Sequence, residues 1–392
     1  MSPKTNLLSF QLLLKEKHFK KIKQKRDRAV TAGVLQTEDT DFVPVNLKFN
    51  NKDYGAEARL KGDWTDHLEG DKWSFRIKLK GDQTILGMRK FSIHHPETRG
   101  YINEWLYHRA MKDEGVMGLR YGFVEGILQV AMKEIDTVLS KEVGIYAIEE
   151  TFDKRLIESN KHKVGIILKL TEEDMWRENA KIHELANRTG TSAVGKYNPK
   201  YGKSENMTVT AYSLQSIFKD KTLKKQFTLA KNLLNKYKTG QLPTSIVFDV
   251  DKVAKYTALA NLFGSVHGLI AHNLRFYYNP ITSLIEPVSF DGNSGKQLKS
   301  FRDYWKSKGD ADYRDALIIA LEKVSQPDYL ESLSEKYKKE TDSLSAELKK
   351  EFKNKKTLSL DILKQNQEIL RKTLLTLQQE RMLEQKAPNS KP

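Results

Sequence analysis

Two neighbouring stretches, Ala271-His272-Asn273-Leu274-Arg275-Phe276-Tyr277-Tyr278-Asn279-Pro280 and Glu286-Pro287-Val288-Ser289-Phe290-Asp291-Gly292-Asn293, set the expected architecture of this chain. Asn273 opens a short apolar, aromatic run of the kind that forms a β-strand. Asn279-Pro280 is turn chemistry, and a second strand follows it, ending at Asp291-Gly292. Two hard oxygen donors, Asn273 and Asp291, thus stand at the start and the end of an expected strand pair. An amide and a carboxylate so placed suit Mg²⁺ on nucleotide phosphates.

Upstream, residues 43–97 alternate with the two-residue period of strands. Val43–Phe49, Gly55–Lys61, Trp73–Leu79 and Lys90–His94 read as four strands, with Asn50-Asn51-Lys52-Asp53 as a turn. A helix is expected from Tyr101 to Glu114, stopped by Gly115, and two further strands over 120–130 and 143–148. Together they predict an antiparallel sheet with one inserted helix. Before it, residues 7–32 read as a basic helix with Leu12, Leu13, Leu14, Phe19 and Ile22 near one face. After Glu150 the pattern turns helical: 151–163, 172–188, 208–238, 250–263 and most of 312–383, with a polar loop over 190–203. Pro327 is expected to start a helix. The expectation is an α+β chain with a basic helical segment over 1–42, a β-rich unit over 43–150, a helical unit over 151–326 and a helical extension over 327–392. The extension predicts two long helices, 329–353 and 358–384, whose leucine stripe packs on the preceding helices or on a second copy.

The chain has 392 residues, 67 Lys+Arg against 51 Asp+Glu, and no cysteine. The missing cysteine excludes disulfides, Cys-ligated zinc and thiol nucleophiles. A formal charge of +16 favours anionic partners, with lysine densest over 15–28 and 336–356. Those runs carry few aromatics, which argues against nucleic acid. No stretch is long and apolar enough to span a membrane. Met1–Phe10 lacks the basic–apolar–cleavage order of a signal peptide. His94-His95 and His267/His272 lack the spacing of a zinc hydrolase.

Over roughly residues 43–310 the chain resembles the spore-coat CotH-like atypical kinase family. The resemblance rests on Arg59-Leu60-Lys61-Gly62-Asp63-Trp64-Thr65, Lys72-Trp73-Ser74-Phe75-Arg76-Ile77-Lys78, Gly144–Glu150, His272–Tyr277 and Pro287–Asp291. It implies a protein-kinase-like bilobal fold, with an antiparallel β-rich N-lobe and a mainly helical C-lobe. It implies ATP and Mg²⁺ as cofactors. Lys61-Gly62 would cover the phosphates, and one of Lys72, Arg76 and Lys78 would contact them. Glu104, in preference to Glu114, would pair with that cation, and Glu149-Glu150, with Glu150 at the strand end, would mark the hinge where adenine binds. Asn273 and Asp291, helped by Asn293, would hold the metal. The acceptor would be a protein or polysaccharide hydroxyl, in an extracytoplasmic or surface setting, with a cytoplasmic one as the alternative. The chain would act as a monomer, or as a homodimer through its C-terminal helices.

The pattern departs from kinases at one place. The catalytic Asp of kinases lies five residues before the metal Asn, and that residue here is Gly268. His267 and His272 are the titratable groups nearby, so His267 is the candidate base. A pseudokinase that binds nucleotide without turnover, and a basic binder of anionic polymers, are the competing readings.

Overall fold

The computed structural model describes residues 5–132, 137–171, 173–191, 204–305 and 309–386. Residues 192–203 of the expected polar loop, and the tail from 387, lie outside the described residues. Mixed α and β structure was expected and is found, but the first sheet closes on itself.

The chain opens with β1 (Ser9–Lys15) and α1 (Glu16–Ala32). The helix expected over 7–32 therefore starts only at Glu16. The reason is visible in burial: Phe10, Leu12 and Leu14 are buried and the residues between them are not, which is a strand's period of two. The three consecutive leucines masked that alternation. Next come β2 (Val43–Phe49), β3 (Lys52–Leu60), β4 (Phe75–Leu79) and β5 (Lys90–His94), then α2 (Ile102–Asp113). The short β6 (Met117–Gly118), β7 (Tyr121–Met132) and β8 (Thr137–Glu150) follow. The barrel order is β1-β2-β3-β4-β5-β8-β7. All pairings in it are antiparallel except β1 with β7, the parallel pair that closes it. A closed barrel leaves no strand edge exposed. It is filled by Phe10, Leu47, Ala56, Ile77, Phe91, Ile148 and their neighbours.

Beyond Glu150, α3 (Lys154–Ser159) is one short helix, and an unexpected strand, β9 (Ile166–Leu170), follows. The second half of the expected 151–163 helix is lost at Asn160 and Lys161, where Lys161 adopts a left-handed φ of 61°. After α4 (Glu173–Thr189), a short strand β10 (Val209–Ala211) precedes α5 (Leu214–Lys219) and α6 (Lys221–Lys238), so the apolar pattern over 208–238 begins as a strand. The helices α7 (Thr244–Val247) and α8 (Val250–Leu262) lead to β11 (Arg275–Tyr278) and β12 (Ile285–Ser289), the predicted strand pair. A second sheet has the order β10-β9-β11-β12-β6.

The chain ends in α9 (Ala311–Val324), α10 (Pro327–Lys336), α11 (Lys338–Glu351) and α12 (Leu360–Lys386). The helix expected over 329–353 is broken at Tyr337 and starts at Pro327. Leu363, Leu370, Leu374 and Leu377 form the buried stripe of α12 and share one core with α8 and α9. Asn366 of α12 is fully buried: its Nδ2 donates to the carbonyls of Leu262 and Lys296, both at 3.0 Å, and its Oδ1 accepts from the Leu298 amide at 2.8 Å. The last helix therefore fixes the segment that follows Asp291.

Candidate functional site

Period two places alternate residues of β3, β4, β5 and β8 on the outside of the barrel. Strand register aligns Arg59 with Arg76, Arg76 with Ser92, and Ser92 with Glu149. Arg76 and Lys78, two residues apart on β4, share a face. Arg59, two residues before Lys61, is a cation that sequence reading passed over; its place in the same alternation could have revealed it. No hydrogen bond reaches the buried Nε of Arg59 or Arg76. Burial, and then the neighbouring charge of Arg76, push the Arg59 guanidinium down to about 10.

Below this row lies a buried chain of alternating charges. Lys61 Nζ is 2.5 Å from Glu149 Oε2. On the other side of Glu149, Arg99 Nε lies 3.7 Å from Oε1. Arg99 Nη1 is 3.0 Å from Asp291 Oδ1, and His267 Nδ1 is 3.1 Å from the same oxygen. Burial would raise the Glu149 carboxyl, but Lys61 and Arg99 outweigh it and hold it at about 2. At Lys61 burial dominates, and Glu149 restores only part of the loss, leaving the ammonium at about 8. The two partners shift unequally because Glu149 has two cations against it and Lys61 only one close anion; both remain charged at neutral pH. Burial opposes the charge of Asp291 as well, yet Arg99 and His267 keep its carboxyl below the ordinary range. Burial pushes His267 down, and its bond to Asp291 more than reverses this, so the imidazole lies above its usual value.

Asn273 closes the group. Its Nδ2 donates to the His267 carbonyl at 3.0 Å and lies 3.2 Å from His267 Nδ1. With the amide so turned, Oδ1 is the atom left for a ligand. The structure thus brings Asn273, His267 and Asp291 together. Asp291 and Asn293 adopt left-handed φ values of 52° and 51°, so the chain turns sharply at the end of β12. Gly292 between them has no room for a side chain: a Cβ would lie 2.8 Å from Ser265 Cβ and 3.0 Å from Glu104 Oε2.

Glu104 has a different job from the one expected. Its carboxylate accepts from the Gly292 amide at 3.0 Å and from the Ser294 amide and hydroxyl at 3.2 and 2.6 Å. It pins the Asp291 turn rather than a strand lysine. Burial pushes its carboxyl up to about 7 against the pull of Ser294, Arg99 and Gly292. The carboxylate that pairs with Lys61, Glu149, comes from a strand, and nothing local in the sequence links the two. Arg99 was missed for the same reason.

The remaining candidates lie elsewhere. Lys72 is committed to Glu351 of α11 at 2.5 Å and to the Ile145 carbonyl at 2.9 Å. Lys78 sits 3.5 Å from Asp39 and 3.7 Å above the Phe42 ring. Glu150 faces away from Glu149 and pairs with Arg120. Gly62 has a φ of 115°, and a Cβ there would meet His67 at 2.5 Å.

Beside the segment after Glu150 opens a cleft of about 270 Å³. Lys90, Phe152, Ile167 and Tyr212 are among its walls. Phe152 stacks on Tyr212 at 4.6 Å and meets Phe290, the neighbour of Asp291, edge-on at 5.0 Å. The cleft and the charged chain are therefore joined through Phe152 and Phe290.

Among the described residues no helix is long and apolar enough to cross a membrane, and no group of three His, Asp or Glu residues is arranged to hold a metal ion. A family model described as CotH kinase protein matches residues 58–372. No curated protein matches the chain.

Proposed function

Because the chain belongs to the CotH kinase family, we propose that it binds Mg-ATP and transfers the γ-phosphoryl group to a hydroxyl of a protein or a saccharide. The observation that carries this reading is the convergence of Asn273, Asp291 and His267 on one side and Lys61 and Arg99 on the other. The donor set fits one Mg²⁺. Asp291 keeps Oδ2 and Asn273 keeps Oδ1 free of the bonds described above, and Mg²⁺ needs only one or two protein oxygens when phosphates supply others. Bound there, the ion would neutralise charge on the phosphates.

The chain's own residues do the rest. Phe152, Ile167 and Tyr212 offer apolar and aromatic walls for a base. Arg59 and Arg76, paired across β3 and β4 beside Lys61, would supply positive charge to the phosphates. Glu104 holds the turn that aims Asp291. The strand order and the helix α2 pinned to the Asp291 turn support a kinase-like bilobal arrangement, with the barrel as N-lobe. In this reading His267 is the base: Nδ1 faces Asp291 at 3.1 Å, and Nε2, 3.4 Å from Asn273 Nδ2, would take the proton of the acceptor hydroxyl. An extracytoplasmic or surface-associated setting belongs to this reading and rests on the family resemblance alone, with a cytoplasmic one as the alternative.

A second reading is nucleotide binding without turnover. It is favoured by the Arg99–Asp291 pair, which occupies one oxygen of the metal-binding carboxylate, and by Gly268 where kinases carry their catalytic Asp.

Calorimetry of the protein with Mg-ATP tests nucleotide binding, and Asp291→Ala should abolish Mg²⁺-dependent affinity while the protein stays folded. Unchanged affinity in a folded Asp291→Ala protein would sink the metal assignment. Labelled-phosphate transfer separates the two readings. If His267 is the base, His267→Ala lowers turnover about 10²-fold or more with little change in nucleotide affinity; equal turnover would leave His267 structural.

A further inference from the structure

We propose that Arg99 is a built-in counter-cation of this site, which lets nucleotide phosphates bind beside Asp291 without a divalent metal. This rests on the nucleotide-binding reading above and assigns a role to a residue outside the expected ligand set.

The first argument is position. Arg99 ends a 3₁₀ turn, Pro96–Arg99, and is only 6% exposed. Its guanidinium stands between two carboxylates, 3.0 Å from Asp291 and 3.7 Å from Glu149. It cannot swing away easily, because its backbone is locked to the same loop that carries Asp291. Gly100, with a φ of 80°, packs so tightly on Ser294 that a Cβ would lie 2.0 Å from the Ser294 carbonyl oxygen. Glu104 ties that loop to α2 one turn further on.

The second argument is charge. Lys61 and Arg99 already balance Glu149 and Asp291 before any metal enters. Arg59 and Arg76 on the strand row above add two more positive charges with unbonded Nε atoms. With the Glu104 carboxyl counted as well, these four cations, Lys61, Arg99, Arg59 and Arg76, face three carboxyls, Glu149, Asp291 and Glu104. Guanidinium is the cation suited to this role, because its fork can serve a carboxylate and a phosphate oxygen together and it stays charged when buried.

The third argument is geometry at the acceptor. Arg99 and His267 share Asp291 Oδ1. A metal at Asp291 would use the other oxygen, so Mg²⁺ would add to the arginine rather than replace it.

The test is calorimetry of ATP with the full chain, in Mg²⁺ and in EDTA. The expected result is binding in EDTA within ~10-fold of that in Mg²⁺. Arg99→Gln should lose at least ~10-fold more affinity in EDTA than in Mg²⁺, and Arg99→Lys should recover part of it. A merely structural arginine would weaken both conditions alike. If Arg99→Gln fails to fold, Arg99→Gln/Asp291→Asn removes the opposing charge with it, and the wild-type comparison stands without any variant. Wild-type binding that requires Mg²⁺ overturns this inference while leaving the nucleotide reading intact. No ATP binding under either condition overturns both.

Discussion

Glu149→Gln perturbs the charged chain at its centre. The carboxylate is 1% exposed and lies between Lys61 at 2.5 Å and Arg99 at 3.7 Å. Neutralising it leaves a buried ammonium without its anion, and removing one partner of such a pair costs about 3–5 kcal/mol. Titration leads to a similar figure. The Glu149 carboxyl falls from 4.5 to about 2 in the folded chain, and each unit is worth about 1.4 kcal/mol, so the charged form contributes about 3 kcal/mol. The sign follows: this stability is present above pH 4.5 and is lost as pH falls toward 2. Lys61 acts in the opposite sense at the alkaline end. Its folded value of about 8 lies below 10.5, so stability gains as pH rises between those values. Urea unfolding of wild type, Glu149→Gln, Lys61→Met and the double variant at pH 7 measures the coupling. Each single variant should lose about 3–5 kcal/mol, and the double clearly less than their sum, because neither charge is then left alone. A Glu149→Gln protein within about 1 kcal/mol of wild type, or strictly additive losses, would refute a tightly coupled buried pair.

Two further outcomes are expected. His162 donates to Glu286 at 2.9 Å, and that bond raises the imidazole above its usual value. The pair stabilises fully below the unfolded histidine's pKa and loses this as pH rises through the folded one, so Glu286→Gln should lower the melting temperature more at pH 6 than at pH 8.5; an equal drop would contradict it. Ending the chain after Gln326 removes the leucine stripe of α12 and the Asn366 bonds to Leu262, Lys296 and Leu298. Such a protein should be insoluble or much less heat-stable, and a soluble monomer melting like the full chain would show α10–α12 to be an independent appendage.

Much of this was legible in the residues themselves. Alternation over 43–61, 73–79 and 90–94 identified four strands, because a sheet with one buried face writes its period into the sequence. The runs around Asn273 and Asp291 identified the strand pair and its two oxygen donors, since turn chemistry and β-branched or aromatic side chains act locally. The family motifs sit in those same segments. What failed were places where local preference lost to packing. Leu12-Leu13-Leu14 reads equally well as helix or strand, and only the free edges of β2 and β7 decide for a strand. Residues 166–170 and 209–211 became strands because β11 offered an edge and β9 extended it.

The charged chain is a different case. Lys61, Glu149, Arg99 and Asp291 are ordinary exposed-looking residues when read singly, separated by up to 230 positions. The sequence determined the elements that carry them and the chemical types available. Barrel closure, the close approach of Gly100 to Ser294 and the docking of α2 on the Asp291 turn decided which charge meets which. Coulomb energy in a buried site depends on distance and desolvation, and both exist only once the chain is folded.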